Sequence, residues 1–392
     1  MTGPVDDGLT RPADDGFQRS AGHGTFRPAA EGPTRPRRNG TVGLAVEVDL
    51  PERGVRLELA VEPGETCALI GPNGAGKSSV LESVIGVLTP ASGEIRLGGR
   101  LLAGPGVRVP VHRRRVGWLA QRPLLFDHLT VRDNVAFGLV ANGIRRPDAR
   151  RRALEELELV GARELADLRP SQLSGGQAQR VGIARTLAAE PDALLLDEPL
   201  AAIDVQGAAE IRQVLAERLR ALALPVLLVT HDLIDLWRLA DRVVVLNHGR
   251  IVEQGSVAQV MRRPRNEFPA SLGGRNLIAG VAAGAGSLEV DGLVVHGLPD
   301  APLASGTATL ALIEPAAIAV HRNHPEGSPR NVWPAEVIAV EPRGDAARLV
   351  CAASGQTLTV DLTAAAVAEL ALMPGAPVWL SVKASQVLLY PR

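Results

Sequence analysis

The pattern of apolar and polar residues changes several times along the chain, and each change predicts a different element. Strict alternation in VEVDL and VRLELAV, from residue 44 onward, is typical of antiparallel strands. Continuous apolar runs at TCALI (66–70), ALLLD (193–197) and RVVVLN (242–247) indicate strands buried on both faces. Amphipathic stretches such as residues 148–161 separate these runs. The alternation predicts an α/β domain with a mostly parallel sheet over residues 42–262.

Beyond residue 262 the helical spacing gives way to other patterns. Residues 263–276 are rich in Pro, Gly and Arg, which is typical of a linker. Short alternating segments within residues 277–392, separated by Asp-Gly and Ser-Gly turn signals, predict a mostly-β OB-like barrel or a pair of barrels. Residues 1–41 predict a disordered tail, because they are rich in Gly, Pro, Arg and Asp and offer little apolar surface to bury.

Composition narrows the class of protein. The 392 residues carry a formal net charge of −1, which gives no electrostatic reason to expect a nucleic-acid partner. Cys67 and Cys351 have no metal-binding or redox spacing, and we expect two reduced thiols in a cytosolic protein. The sequence has no apolar run of membrane-spanning length and no signal-peptide core. We therefore expect any membrane function to work through a partner.

The stretch GPNGAGKSS fits the phosphate-loop pattern G-x-x-x-x-G-K-[ST]. It follows an apolar strand and opens a helical segment, and this context lets backbone N–H groups surround phosphates at a helix N-terminus. Lys77 would neutralise the β- and γ-phosphates of a nucleotide, and Ser78 would bind Mg²⁺. The candidate ATP-binding residues here are Gly71, Pro72, Asn73, Gly74, Ala75, Gly76, Lys77, Ser78 and Ser79. The fold class is therefore a P-loop NTPase domain followed by a barrel.

Two further strands end in residues that suit catalysis. ALLLDEP places Asp197 and Glu198 at the carboxyl end of a buried strand, where α/β sheets bind their ligands. Asp197 suits the coordination of Mg²⁺, and Glu198 suits a general base acting on the attacking water. VLLVTHD places His231 at the end of another strand, where it could contact the γ-phosphate and Glu198.

These motifs, in this order, resemble those of ABC-transporter ATPases over residues 44–260. The resemblance implies antiparallel and helical subdomains beside the parallel sheet. It identifies Gln121 as the Q-loop residue that senses Mg²⁺ and water, LSGGQ as the signature motif, Asp204 as the D-loop aspartate and His231 as the switch histidine. It also implies that Leu124, Leu125 and Phe126 lie near the surface that receives a membrane partner.

The resemblance also implies the assembly. In the family, the signature motif of one subunit closes over the ATP held by the other, so Ser174, Gly175, Gly176 and Gln177 would donate to a γ-phosphate in trans. We therefore expect a homodimer at the cytoplasmic face of the inner membrane, joined to integral-membrane permease subunits and, through them, to an extracytoplasmic binding protein. The family usually stacks adenine on an aromatic residue, but no Phe, Tyr or Trp occurs between Phe26 and Trp118. Arg53, Val55 or Arg56 would have to serve instead.

The C-terminal segments SPRNVWPAEV and VWLSVKASQVLL resemble the molybdate- or tungstate-binding barrel of molybdate importer ATPases. The resemblance implies an oxyanion site at Ser328, Arg330, Asn331, Lys383 and Ser385, with Pro334 as part of the motif. A tetrahedral dianion would be bound by hydroxyl, amide and cationic groups.

Three alternatives stay open at this stage. The first is a plain barrel turn whose Arg and Lys are solvated. The second is an importer ATPase for sulfate, iron, polyamine or sugar, and the third is a module that senses oxyanion and regulates transport. We also expect Trp118, Trp237, Trp333 and Trp379 to be core residues.

Overall fold

A computed structural model describes residues 43–392, so the predicted disordered tail, residues 1–41, lies outside the described residues. The first part of the described chain, up to residue 275, contains α-helices and β-strands, which we number in chain order. They are β1 (Leu44–Leu50), β2 (Val55–Val61), β3 (Thr66–Ile70), α1 (Lys77–Ile85), β4 (Ile95–Leu97), β5 (Arg100–Gly104), β6 (Val107–Arg108), β7 (Val116–Leu119), α2 (Val131–Ala141), α3 (Arg146–Leu159), α4 (Gly175–Ala188), β8 (Ala193–Asp197), α5 (Val205–Leu222), β9 (Val226–Val229), α6 (Leu233–Leu239), β10 (Arg242–Asn247), β11 (Arg250–Ser256), α7 (Val257–Arg262) and α8 (Glu267–Leu272).

A six-stranded sheet in the order β11-β10-β3-β9-β8-β7 forms the centre of this part. The five strands from β10 to β7 are parallel, and only β11 is antiparallel to its neighbour. Every residue of β3 and β9 is buried, as continuous apolar runs predict for strands covered on both faces. The expected mostly parallel α/β domain is confirmed. The carboxyl ends of β3, β9 and β8 lie side by side at one edge, which is the edge that carries the predicted chemistry.

Two smaller layers flank the central sheet. One is an antiparallel sheet in the order β2-β1-β4-β5-β6, and its β1–β2 hairpin is the one that the alternating pattern predicted. The other is a helical layer in which α2, α3 and α4 share a buried core with Leu119, Leu194 and Leu196 of the sheet. Within residues 43–392 no helix is both long enough and apolar enough to cross a membrane.

The second part of the described chain is almost entirely β. Its elements are β12 (Asn276–Gly284), β13 (Ser287–Val290), β14 (Leu293–His296), β15 (Leu298–Pro299), β16 (Ala308–Ile313), β17 (Ala319–His321), β18 (Asn331–Arg343), β19 (Ala346–Ala353), β20 (Gln356–Thr363), α9 (Ala364–Glu369), β21 (Pro377–Val382) and β22 (Val387–Pro391). They form two sheets, in the orders β14-β13-β12-β16-β22-β15 and β17-β21-β18-β19-β20, around one shared core.

These two sheets are related by an internal duplication. Each half contributes an antiparallel group of four strands, β14-β13-β12-β16 or β20-β19-β18-β21, and each half then sends its last strand into the other sheet. The register is equivalent in the two exchanges, because Ala319 of β17 pairs with Ser381 of β21, and Leu388 of β22 pairs with Leu312 of β16. A short 3₁₀ turn precedes the exchanged strand in each half. The expected pair of barrel lobes is therefore one strand-exchanged unit.

Two asparagines close this unit in equivalent ways. Asn276, the first residue of β12, bonds to both the backbone N–H and the carbonyl of Thr359 at 2.7 and 2.8 Å. Asn331, the first residue of β18, bonds to both the N–H and the carbonyl of His296 at 2.6 and 2.9 Å. Each amide therefore ties the start of one half to a strand of the other.

Two expectations need correction here. Residues 263–276 are not a simple linker: they contain α8, whose Pro269 and Ala270 are buried, and they end at the first residue of β12. The Tyr390 hydroxyl donates to the Pro264 carbonyl at 2.7 Å, so the last strand packs on this segment. The expectation that all four tryptophans are core residues is wrong for Trp237, which is 51% exposed on α6.

Candidate functional site

The phosphate-loop sequence folds as its pattern predicts, between β3 and α1. Gly71 and Gly76 have φ values of 151° and 104°. A β-carbon at Gly71 would lie 2.1 Å from the Leu246 carbonyl oxygen, and one at Gly76 would lie 2.6 Å from a methyl group of Val55. Both positions therefore require glycine. The backbone can turn around a phosphate chain only because these side chains are absent.

Lys77, the first residue of α1, reaches back over this loop. Its Nζ donates to the carbonyl oxygens of Gly71 and Pro72 at 2.7 and 2.9 Å. Burial lowers the pKa of the Lys77 ammonium, and the nearby Glu198 and Asp197 carboxylates act in the opposite direction. The side chain is thus held at the mouth of the loop, where it can pair with phosphate oxygens.

The far end of α1 is closed by a buried arginine that the sequence did not single out. Arg114 is 1% exposed, and its guanidinium donates to the carbonyls of Ser83, Val84 and Val109 at 2.8–2.9 Å. A cation at a helix C-terminus satisfies its free carbonyls and complements the helix dipole. The guanidinium also packs on Gly86, where a β-carbon would lie 2.5 Å away.

Asp197 and Glu198 lie at the end of β8, on the same edge as the phosphate loop. Burial and the adjacent Glu198 charge raise the pKa of Asp197 to about 6, and Lys77 partly opposes this. A carboxylate that costs free energy to ionise is stabilised by a nearby cation. The Asp197 carboxylate and the Ser78 hydroxyl, which lies in the first turn of α1 next to Lys77, are oxygen donors of the kind that Mg²⁺ binds together with water and phosphate oxygens.

Glu198 is the point at which the three predicted catalytic residues meet. Its Oε1 lies 3.0 Å from Nδ1 of His231, and its Oε2 accepts a hydrogen bond from Nε2 of Gln121 at 3.2 Å. The residue itself has a φ of 49°, an uncommon backbone conformation for a non-glycine residue. The three side chains come from the ends of β8, β9 and β7, so adjacent parallel strands assemble the site.

The LSGGQ segment forms the exposed N-terminus of α4. Ser174 caps the helix by accepting from the Gln177 N–H at 3.3 Å, and the Gln177 side chain accepts from the Ser174 N–H at 2.9 Å. Gly176 packs against the carbonyl of Ala202, two residues before Asp204. Asp204 caps α5 through the Gly207 N–H, and this bond lowers the pKa of its carboxyl. Among the described hydrogen bonds, none joins residues 174–177 to residues 71–79.

An apolar surface lies next to Gln121. Leu124 is 60% exposed and Phe137 of α2 is 49% exposed. The ring of Phe126 packs on Phe137 with centroids 4.6 Å apart, and the Arg185 guanidinium lies over the Phe126 ring, 5.6 Å from its centroid. Leu125, by contrast, is partly buried against the helical core. The loop that follows Gln121 therefore presents apolar side chains on the surface.

The structure corrects one residue of the predicted oxyanion site. Asn331 is fully buried, and both hydrogens of its amide are used, on the carbonyls of His296 and Val382. Its side chain cannot also donate to an anion, because a buried amide has only these two donors. Its neighbours Ser328, Arg330, Lys383 and Ser385 are exposed.

Arg330 and Lys383 flank the last pair of the β18–β21 ladder. Asn331 pairs with Val382 on these antiparallel strands, and Arg330 comes directly before Asn331 as Lys383 comes directly after Val382. The duplicated half has Arg275 and Glu314 in the corresponding places, 3.8 Å apart as an ion pair. One half of the barrel therefore has an ion pair at the positions where the other half has two cationic residues.

Comparison with known proteins agrees with this geometry. The family model for ABC transporters matches residues 55–201, and the model for the TOBE domain matches residues 327–389. The molybdenum import ATP-binding protein ModC of Mycobacterium tuberculosis is 45% identical, over 89% of this chain and 97% of the relative. The chain belongs to the ATP-binding subunits of ABC transporters.

Two further members of this ABC family are similar. The molybdate/tungstate import ATP-binding protein WtpC of Pyrococcus horikoshii is 34% identical, over 84% of this chain and 94% of the relative. The solved structure of cbiO1 from Clostridium perfringens, part of the ABC transporter complex cbiONQ, superposes with a TM-score of 0.50 at 31% identity. That match covers 57% of this chain and 91% of cbiO1. The chain is an ABC-type ATPase followed by a C-terminal TOBE-containing barrel.

Proposed function

We propose that this chain is the ATP-hydrolysing subunit of an importer for molybdate or tungstate. The observation that carries the ATPase activity is the convergence of Gln121 and His231 on Glu198, beside the phosphate loop. The cargo is supported by likeness over both halves of the chain to relatives named for molybdenum and for molybdate or tungstate import. An importer for sulfate, iron, polyamine or sugar is the alternative that the cargo test has to separate.

In the proposed mechanism, residues 71–79 hold the triphosphate through backbone N–H groups, and Lys77 pairs with its β- and γ-oxygens. Mg²⁺ held by Ser78 and Asp197, with Gln121 nearby, would neutralise charge on the transferred phosphoryl group. Glu198 accepts the proton of the attacking water. His231 and Gln121 keep the Glu198 carboxylate oriented, each by holding one of its two oxygens.

We place the second half of the ATP site on another copy of the chain. Helix α4 begins at an exposed end whose cap is already satisfied by Ser174 and Gln177, so the N–H groups of Gly175 and Gly176 remain for a ligand. Asp204 follows at the start of α5, next to this end. A homodimer in which residues 174–177 of one copy cover the γ-phosphate on the other uses all these groups.

Permease subunits would bind at the apolar surface formed by Leu124, Phe126 and Phe137. Clustered exposed apolar side chains next to a site residue are typical of a docking surface. Because Gln121 lies three residues before Leu124, a partner seated there would be linked to the catalytic carboxylate through one short loop. The chain would then work on the cytoplasmic face of the inner membrane, and the permease would face an extracytoplasmic binding protein.

The substitution Glu198→Gln tests the catalytic role. The amide keeps the size of the side chain but cannot accept the water proton, so we expect ATP binding to persist and turnover to fall at least about 100-fold. ATP should convert the variant to a dimer, measured by light scattering, and the double variant Glu198→Gln/Ser174→Arg should stay monomeric. Normal hydrolysis by Glu198→Gln would eliminate the assigned role.

Uptake of radiolabelled molybdate into proteoliposomes that contain this chain, its permease and its binding protein tests the cargo. We expect ATP-dependent uptake that unlabelled tungstate inhibits and a large excess of sulfate does not. Uptake of sulfate in preference to molybdate would transfer the proposal to a sulfate importer. ATP hydrolysis without uptake of either anion would leave the enzyme assignment intact and remove both cargoes.

We also propose that the barrel binds an oxyanion and that this binding regulates transport. The observation in its favour is that Arg330 and Lys383 flank the Asn331–Val382 pair at the positions where the duplicated half has an Arg–Glu ion pair. Like charges at opposed positions of two strands repel each other, and an anion bound between them would remove that repulsion. The hydroxyls of Ser328 and Ser385 supply uncharged donors on the same segments.

Isothermal titration of the full chain with molybdate, tungstate and sulfate tests the regulatory site. Lys383→Glu reproduces the charge pattern of the duplicated half, so we expect it to abolish binding without unfolding the barrel. Glu314→Gln is the matched control and should leave binding unchanged. Binding that survives Lys383→Glu, or no heat with any of the three anions, would overturn this part of the proposal.

A further inference from the structure

The position of Glu198 and His231 fixes the direction in which a bound nucleotide must lie. Both residues follow strands β8 and β9, on one side of the phosphate loop, and they define the γ-phosphate end. The base must therefore leave the loop on the opposite side of β3. In the sheet order that side is occupied by β10 and β11, with the β1–β2 turn next to them.

Two turns meet on this side of the phosphate loop. The turn from β10 to β11 touches the start of the loop, since the Leu246 carbonyl fills the space beside Gly71. It also touches the end of the loop, where the Gly249 N–H donates to the Ala75 carbonyl at 3.1 Å. The Gly249 carbonyl accepts in turn from the Arg56 N–H at 2.9 Å, which fixes the β1–β2 hairpin to the same turn.

The β1–β2 hairpin itself offers no suitable surface for the base. Val55 is 1% exposed and packs on Gly76. Arg56 is the next residue of the same strand, so its side chain points to the opposite face, away from the phosphate loop. Arg53 lines a cleft with Leu88 and Thr89, beyond the C-terminal end of α1, whereas the phosphates bind at the N-terminal end. None of the three residues that the sequence suggested for stacking therefore provides a surface for the base beside the phosphate loop.

We propose that His248, at the tip of the β10–β11 turn, is the residue on which the base of the nucleotide stacks. It lies between Asn247 and Gly249 in the turn that borders the loop, and its side chain is exposed. Between residues 43 and 117 the sequence has no Phe, Tyr or Trp, so no larger ring competes from the β1–β2 hairpin. An imidazole can stack on a purine as the larger aromatic rings do. This inference rests on the ATPase function.

Affinities measured for ATP and for inorganic tripolyphosphate distinguish a contact with the base from a contact with the phosphates. His248 has a φ of 46°, so we choose His248→Asn, because Asn tolerates this backbone conformation and lacks a ring. We expect the variant to bind ATP about 5- to 30-fold more weakly, as loss of one stacking contact implies. Its affinity for tripolyphosphate, which has no base, should be unchanged. The KM for ATP should rise while kcat stays within about twofold.

His324→Asn removes another exposed histidine, from the barrel, and should change none of these values. The proposal is overturned if His248→Asn binds ATP as tightly as the native chain. It is also overturned if the affinities for ATP and tripolyphosphate fall together, because the substitution would then act on the phosphate loop. A native chain that binds neither compound would instead refute the ATPase function.

Discussion

Replacement of Asn331 by leucine tests whether its amide holds the two halves of the barrel together. The amide accepts from the His296 N–H at 2.6 Å and donates to the carbonyls of His296 and Val382 at 2.9 and 3.2 Å. Leucine has a similar volume but leaves these three backbone groups unpaired in a buried site. Each such group costs about 1–3 kcal/mol, and the added apolar burial offsets part of the sum. We expect the free energy of unfolding to fall by about 3–5 kcal/mol.

The internal duplication supplies the controls. Asn276→Leu breaks the equivalent contacts with Thr359 and should cost the same amount within error. Asn323→Leu, at an exposed position, should change stability by no more than about 0.5 kcal/mol. Urea unfolding of the full chain, with Trp118 and Trp237 replaced by Phe, lets the fluorescence of Trp333 and Trp379 report on the barrel alone.

An Asn331→Leu chain that unfolds at the same urea concentration as the native chain would show that the amide does not hold the two halves together. Free energies of unfolding that differ by more than about 2 kcal/mol between Asn331→Leu and Asn276→Leu would show that the two amides are not equivalent. If Asn331→Leu kept its stability and lost only the binding of molybdate, the sequence-based prediction of a ligand residue would be restored.

Three other perturbations follow from the site. Gly86→Ala forces a β-carbon against the Arg114 guanidinium at a φ of 95° and should lower the free energy of unfolding by at least about 3 kcal/mol. Urea melts of Gly86→Ala and of Gly86→Ala/Arg114→Met should show strong non-additivity. Burial raises the pKa of Asp197 to about 6 in the folded chain, from 3.8, so the free energy of unfolding should fall as pH rises from about 4 to 6. Asp197→Asn should remove this fall and be about 1–3 kcal/mol more stable at pH 8. Urea melts without Mg²⁺ measure both effects. Phe137→Asp should leave the hydrolysis of ATP by the free chain unchanged and abolish co-purification with the permease. If the variant still co-purified with the permease, this surface would not be part of the partner interface.

The sequence was most informative where burial leaves a continuous apolar run. The strands β3, β8 and β10 could be predicted to within a residue, because each is covered on both faces and its central positions are buried and apolar. Their carboxyl ends then located the catalytic groups, since parallel strands bring their ends to one edge. Glu198, His231 and Gln121 were predicted from these ends and from the family pattern, and they meet within hydrogen-bonding distance.

Residues whose role depends on distant backbone atoms could not be predicted in this way. Arg114 stands in a run of arginines that reads as a solvated surface, and only the fold brings it under the end of α1. Asn331 satisfies a family pattern for ligand binding, and its commitment to His296 depends on a strand 35 positions earlier. His248 reads as an ordinary turn residue until the sheet order shows which turn borders the phosphate loop.

The strand exchange in the barrel also has a consequence for the order in which the protein can fold. The first sheet of the barrel lacks β22 until the second half of the barrel has been synthesised, so β16 has an open edge until then. During that interval the edge is exposed to wrong pairing. Neither half of the barrel can close first, and the two must be completed in a single step. Removal of the five residues of β22 would therefore damage the half of the barrel that is farther away in sequence.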